Sequence, residues 1–285
     1  MKNSKGPKIS VIIPTYNEEK VIGACLISLS HQTFKDFEII VVDDGSTDDS
    51  KRIVRNLESQ ISNLESFTQN HKGPGEARNL GARKARGQIV VFVDADMTFD
   101  NDFITKLVQP IIDGTSKGTF SKDEYVSNWD NVWSRCWNIN QGWEEKRRHP
   151  RNYPDTQRVF RAILRSEFDR VGGFATGGHY TDDYLSERLG YEADVVRGAK
   201  FYHANSDTLK EIFSQAKWAA KREYKFGIVG IFFSLMRSSF PVSLVIGLSK
   251  SVLNLESRFV LFKIVYDLGT FIGLLEIIFT NKRGR

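Results

Sequence analysis

Over its first hundred residues the chain alternates short apolar runs with stretches whose apolar positions recur at helical spacing. Residues 8–13 (Lys-Ile-Ser-Val-Ile-Ile) read as a strand halted by Pro14. Within 18–31, Val21, Ile22, Cys25, Leu26 and Leu29 form one apolar stripe and predict a helix. Residues 37–42 predict a second strand, which runs into Asp43-Asp44-Gly45-Ser46-Thr47-Asp48. Ser46 or Thr47 is placed to cap a helix reaching residue 60. A weaker strand is predicted at 63–68, a helix at 75–86 and a strand at 88–97. This β-α-β-α-β-α-β order with short links predicts an α/β fold on a parallel, doubly wound sheet.

The last of these strands carries the chemistry. Residues 89–93 are apolar without a break and rich in β-branched types, the pattern of a strand buried on both faces. It ends in Asp94-Ala95-Asp96. Side chains two apart on an extended chain point the same way. Both carboxylates are therefore expected to project from the strand's carboxyl end, where open α/β sheets bind ligands. Two like charges so close repel unless a cation lies between them, and a divalent metal is the expected answer. A surface turn that merely holds two acids is the plainer alternative. The first strand-to-helix turn reads Pro14-Thr15-Tyr16-Asn17-Glu18, without the Gly-x-Gly-x-x-Gly fingerprint, and there is no phosphate-loop lysine motif. Nucleotide phosphates on this sheet need another counter-charge, which a metal at Asp94 and Asp96 would provide.

Residues 11–18, 39–48, 75–81 and 93–96 stand in an order and spacing that resembles the family 2 glycosyltransferases with the GT-A fold, over residues 8–205. The resemblance implies a Rossmann-like, mostly parallel sheet with helices on both faces. It implies inverting, metal-dependent transfer of a sugar from a UDP- or GDP-sugar to an acceptor hydroxyl or phosphate, with Mn2+ or Mg2+ as cofactor. The acceptor would be a sugar or a lipid-linked glycan. On this resemblance Pro14, Tyr16, Asn17, Glu18 and Asp44 hold the base and ribose. Arg78, Asp94, Ala95 and Asp96 face the diphosphate and metal, and His203 completes the metal site. Aligning on Arg188-Leu189 puts Asp182 at the position of the catalytic base. Thr181 stands where the family commonly has Glu, which leaves Asp183 as the alternative base. A sugar-1-phosphate nucleotidyltransferase on a related sheet would carry a glycine-rich basic loop after the first strand, and this chain has none there. A catalytically dead membrane-bound binding protein is opposed by the intact Asp94, Asp96 and Asp182.

Composition changes the picture mainly at the C-terminal end. From Ser206 onward the chain has twelve Lys and Arg against six Asp and Glu, so its net formal charge of +5 belongs to this segment. The basic residues flank apolar stretches at 226–248 and 259–279 whose charge-free pieces are shorter than the about 20 residues a spanning helix needs. Apolar segments flanked by positive charge predict helices lying in or dipping into an anionic leaflet, on the cytoplasmic face of the cell membrane. Nucleic acid is the poorer account, because no groove-reading motif is present. Within the second stretch Lys263 and Asp267 are spaced to pair across one helical turn. Two domains are therefore expected: a nucleotide-sugar-binding domain at 1–205 and a helical, membrane-associated segment at 206–285. Four of the five tryptophans fall at 129–143; Trp129, Trp133 and Trp137 recur every four residues, as on one helical face. Cys25 and Cys136 suggest neither a disulfide framework nor a zinc site, and the first eight residues predict no signal peptide.

Overall fold

The computed structural model describes residues 8–175, 183–221, 224 and 226–280. The first part follows the expected alternation: β1 (Ile9–Thr15), α1 (Ile22–Ser30), β2 (Phe37–Asp43), α2 (Ser50–Glu58), β3 (Leu64–Thr68), α3 (Pro74–Lys84) and β4 (Ile89–Phe92). There follow β5 (Met97–Phe99), α4 (Phe103–Ile112), β6 (Gly118–Ser121), β7 (Glu124–Val126) and α5 (Val132–Gln141). Next come β8 (Thr156–Gln157), β9 (Ala162–Leu164), α6 (Arg165–Arg170), α7 (Tyr184–Leu189), β10 (Ala193–Val196) and β11 (Phe201–His203). Four helices complete the chain: α8 (Leu209–Ala219), α9 (Gly227–Arg237), α10 (Phe240–Leu253) and α11 (Phe259–Thr280).

Eight strands form one sheet in the order β3-β2-β1-β4-β9-β6-β10-β8. The pairs β3–β2, β2–β1, β1–β4 and β6–β10 are parallel, whereas β9 runs antiparallel between β4 and β6. Continuous apolar runs in β1, β2 and β4 are explained by burial on both faces. Val11, Ile13, Ile39, Val41 and Val91 pack with Cys25, Leu26, Leu29 and Val54 of α1 and α2. Ile12, Ile40, Val42, Val90 and Phe92 pack on the other face with Ala77 and Ala82 of α3. A smaller sheet, β5-β11-β7, stands beside it.

Pro14 does not halt β1. Its missing N–H is tolerated because β4 pairs with β1 only as far as Ile12↔Phe92, while β2 continues to Thr15↔Asp43. The helix expected from Glu18 starts at Ile22, since residues 17–19 bond instead to the 46–50 loop. Neither Ser46 nor Thr47 caps α2: Ser46 Oγ accepts from Asn17 N–H and Thr47 bonds to the Asn17 side chain.

The chain divides into two compact units. One comprises residues 1–125 and 152–203; the other comprises 126–151 and 204–285. Residues 126–151, expected in the first domain, belong with the C-terminal helices because Trp133, Trp137 and Cys136 of α5 share a core with Ile212, Phe259 and Phe262. Trp129 precedes α5, so only two of the three spaced tryptophans share its helical face. In this helical unit α11 lies against α8 with little space between backbones. A Cβ on Gly269 would come 2.5 Å from the Phe213 carbonyl, and one on Gly273 would meet the Lys217 carbonyl. Lys263 and Asp267 pair at 2.8 Å as expected, both buried, and Ser243 of α10 donates to the same carboxylate at 2.6 Å.

Candidate active site

The turn after β1 is fastened to the loop after β2. Asn17 adopts φ 56°, in the left-handed region that Asn tolerates better than most residues. Its N–H donates to Ser46 Oγ at 3.0 Å, and its side-chain oxygen accepts from Thr47 N–H at 2.8 Å. The Glu18 N–H donates to Ser50 Oγ at 2.7 Å. Asp44 is buried, and both its oxygens are occupied. One accepts from Gln69 Nε2 and Lys72 N–H, the other from Gly73 N–H with His71 Nδ1 at 2.9 Å. Asp44 thus shapes the 69–73 loop ahead of α3. The exposed Tyr16 ring lies on His71 with centroids 4.1 Å apart, an open aromatic platform beside the sheet's carboxyl edge.

The two carboxylates of the acidic pair do not share a partner. β4 ends at Phe92, so Asp94 and Asp96 lie in the turn before β5 and face different partners. Asp94 takes Arg78 of α3 at 2.5 Å on one oxygen and Arg161 at 3.2 Å on the other. Lost hydration alone would raise its carboxyl, but Arg78, Arg161 and His203 outweigh that and hold it well below the usual carboxylate range. Asp96 instead meets His203 Nε2 at 2.7 Å, and His203 Nδ1 meets Glu124 at 3.1 Å. The antiparallel register His203↔Met97 explains this, since it sets the end of β11 beside Asp96. The Ala95 methyl is buried in the core, so only its backbone is available to a ligand.

Two observations bear on the implied metal. Asp96 Oδ1 is buried with no hydrogen-bond partner, an orphaned acceptor that a cation would satisfy. Glu18 nearby is raised to about 7 by burial first and then by the charges of Asp96, Asp48 and Asp94, with His203 opposing. Among the described residues no three His, Cys, Asp or Glu side chains are grouped to hold a metal by themselves. That fits Mg2+ or Mn2+ bound through one or two protein groups plus substrate phosphates. Asp96 and His203 suit that role. Asp94, expected as a third ligand, is committed to two guanidinium groups.

Asp182, and Thr181 beside it, lie outside the described residues. Asp183 stands at the N-terminus of α7 and meets Arg158 at 3.4 Å. Leading into that segment, Asn79 of α3 bonds both the N–H and the carbonyl of Phe174 at 2.9 Å. Arg161, Glu124 and His71 were not foreseen as site residues. Arg161 owes its place to β9 pairing beside β4, where its carbonyl accepts from Phe92 N–H; no local motif announces it.

A mixed eight-stranded sheet, helices on both faces and charged groups gathered at the ends of β1, β2 and β4 define a GT-A fold. The Glycosyl transferase family 2 domain matches residues 10–177, and the chain belongs to that family. It is 39% identical over 110 residues to the GalNAc(5)-diNAcBac-PP-undecaprenol beta-1,3-glucosyltransferase of Campylobacter jejuni, covering 38% of this chain and 36% of that one. It is 47% identical over 105 residues to the poly(ribitol-phosphate) beta-N-acetylglucosaminyltransferase TarS of Staphylococcus aureus, covering 35% of this chain and 17% of that one. The matches thus span well under half of these relatives. Among solved structures, the mannosyltransferase PcManGT of Pyrobaculum calidifontis in complex with GDP-Man and Mn2+ superposes with a TM-score of 0.60 at 18% identity. That superposition covers 98% of this chain and 89% of the other. TarS 1–349 in complex with UDP-GlcNAc gives 0.58 at 18% identity, covering 98% and 93%.

Proposed function

We propose that the chain is an inverting, metal-dependent glycosyltransferase that moves a sugar from a UDP- or GDP-sugar to an acceptor sugar or lipid-linked glycan at the cytoplasmic face of the membrane. The observation that carries this reading is the convergence of Arg78, Arg161, Asp94, Asp96 and His203 beyond the end of β4, with an orphaned Asp96 oxygen. The Tyr16–His71 platform receives the base. Asp94 orients Arg78 and Arg161, and the two guanidinium groups take diphosphate charge. Asp96 and His203 hold Mn2+ or Mg2+, which when bound offsets the negative charge that grows on the departing nucleoside diphosphate. Asp182 takes the acceptor hydroxyl's proton as that oxygen attacks the anomeric carbon; the bond from that carbon to the phosphate oxygen breaks, and the configuration inverts. The donors bound in the two fold neighbours, UDP-GlcNAc and GDP-Man, support the donor class, and the Campylobacter relative's undecaprenol-linked substrate supports the acceptor class.

The test is calorimetry of UDP- and GDP-sugars with and without Mn2+ or Mg2+, followed by radiolabelled transfer into a lipid extract. Metal-assisted binding of one donor and release of nucleoside diphosphate are expected. Binding that ignores the metal, or release of pyrophosphate, overturns the reading.

A further inference from the structure

Among the described residues, twenty-one large apolar side chains are exposed; thirteen of them fall between Phe226 and Leu255, and only four precede that stretch. α9 buries no residue at all. Ile228, Phe232 and Met236 follow one another at turn spacing on it, and Val229 and Phe233 widen the same face. α10 is two-sided. Ser243, Gly247 and Lys250 face α11 and α5: Ser243 bonds Asp267, a Cβ on Gly247 would sit 3.3 Å from Val260 Cα, and Lys250 donates to the Ile139 carbonyl at 2.9 Å. Val245, Leu248 and Val252 are left exposed, with Val245 at 64%.

From these features we infer that α9 and α10 form a bent arm that inserts its apolar face into one leaflet of an anionic bilayer, in the plane of the membrane and without crossing it. The inference rests on the membrane-side part of the proposed function and names the element that performs it.

Length argues for in-plane insertion. No single described helix is long and apolar enough to span; the two arm helices reach that length only together, and they meet at a 62° bend. At about 1.5 Å per residue neither arm helix reaches across a hydrocarbon core of about 30 Å. The arm's polar atoms argue for lipid as the occupant. Ser238, Ser239, Ser243 and Ser249 each donate to a carbonyl three or four residues back in the chain. Pro241 enters α10 in its first turn, where its missing N–H costs nothing. A bend whose backbone groups are satisfied from within tolerates hydrocarbon. Charge argues against a second copy of this chain. No acid occurs from Phe226 through Leu255, and Arg237 at the end of α9 is exposed. Two such faces would repel each other, and a surface of anionic headgroups attracts each of them.

The experiment uses the full chain and vesicles of phosphatidylcholine with or without phosphatidylglycerol. Co-sedimentation is expected with the mixed vesicles. Phe233→Glu with Val245→Glu, both exposed and so expected to leave thermal unfolding unchanged, should weaken it at least about tenfold. Arg237→Gln should weaken it less, and only at low salt. Equal sedimentation of the double variant, or none of the parent chain, overturns the proposal. So does a vesicle-free dimer that the double variant converts to monomer. Metal-assisted donor binding in vesicle-free buffer is read alongside and should be the same in parent and variant, which separates failure of the arm from failure of the transferase reading.

Discussion

In the sheet unit the apolar residues of β1, β2 and β4 are buried on both faces, and charge is gathered at the strand ends. In the helical unit the arrangement is partly inverted: an ion pair, Lys263–Asp267, is buried between helices while phenylalanines and valines of the arm are exposed. Both units commit carboxylates to cations, but with different residue. Asp94 gives one oxygen to each of two arginines and leaves Asp96 next door with an empty oxygen, whereas Asp267 is satisfied on both oxygens by Lys263 and Ser243. An unsatisfied buried acceptor in one unit and a fully paired one in the other separate a place for ligand from a place for structure.

The sharpest way to test that contrast is to remove one carboxylate from each unit. Asp96→Asn should abolish metal-assisted donor binding and lower turnover by at least about a hundredfold while leaving unfolding free energy nearly unchanged. Asp182→Asn should lower turnover about 10²–10⁴-fold and spare donor binding, with Asp183→Asn close to the parent chain; the reverse order would assign the base to Asp183. Asp267→Ala should do the opposite of Asp96→Asn, costing about 3–5 kcal/mol in urea unfolding because Lys263 is left buried and alone. The double change Asp267→Leu with Lys263→Met should recover most of that loss; no recovery would mean the pair is more than a paired burial. A smaller cost, about 1–3 kcal/mol, is expected for Gly269→Ala, whose new methyl meets the Phe213 carbonyl. The smallest effect is on pH dependence. The Asp94 carboxyl is lowered in the folded state, so its stabilisation is present above the unfolded value of about 4 and is lost as pH falls through the lower folded value. In Arg161→Gln that loss should set in at higher pH, read as the urea midpoint across the acid range.

The parallel half of the sheet was legible because β1, β2 and β4 announce burial on both faces by short apolar runs, and α1 by its stripe. The antiparallel half was not. β8, β9 and β10 are two to four residues long, too short for any period to show. The same holds within the site. Tyr16, Asn17, Asp44, Arg78 and Asp96 sit in motifs readable along the chain, and the 94–96 spacing pointed to the right turn. It misjudged the side chains, because the strand ends at Phe92, one residue before the apolar run does, and the turn sends the two acids to different neighbours.

What the sequence by itself determined is the α/β order, the family, the acidic turn and the surplus of apolar residues near the C-terminus, all written in local runs and spacings. Tertiary structure alone decided that Arg161 and Glu124 join the site, that Asp94 serves arginines while Asp96 keeps a free oxygen, and that 126–151 packs with the terminal helices. Those outcomes depend on strand pairing and helix packing between residues tens of positions apart, and pairwise contact at that range leaves no periodic trace in a single chain.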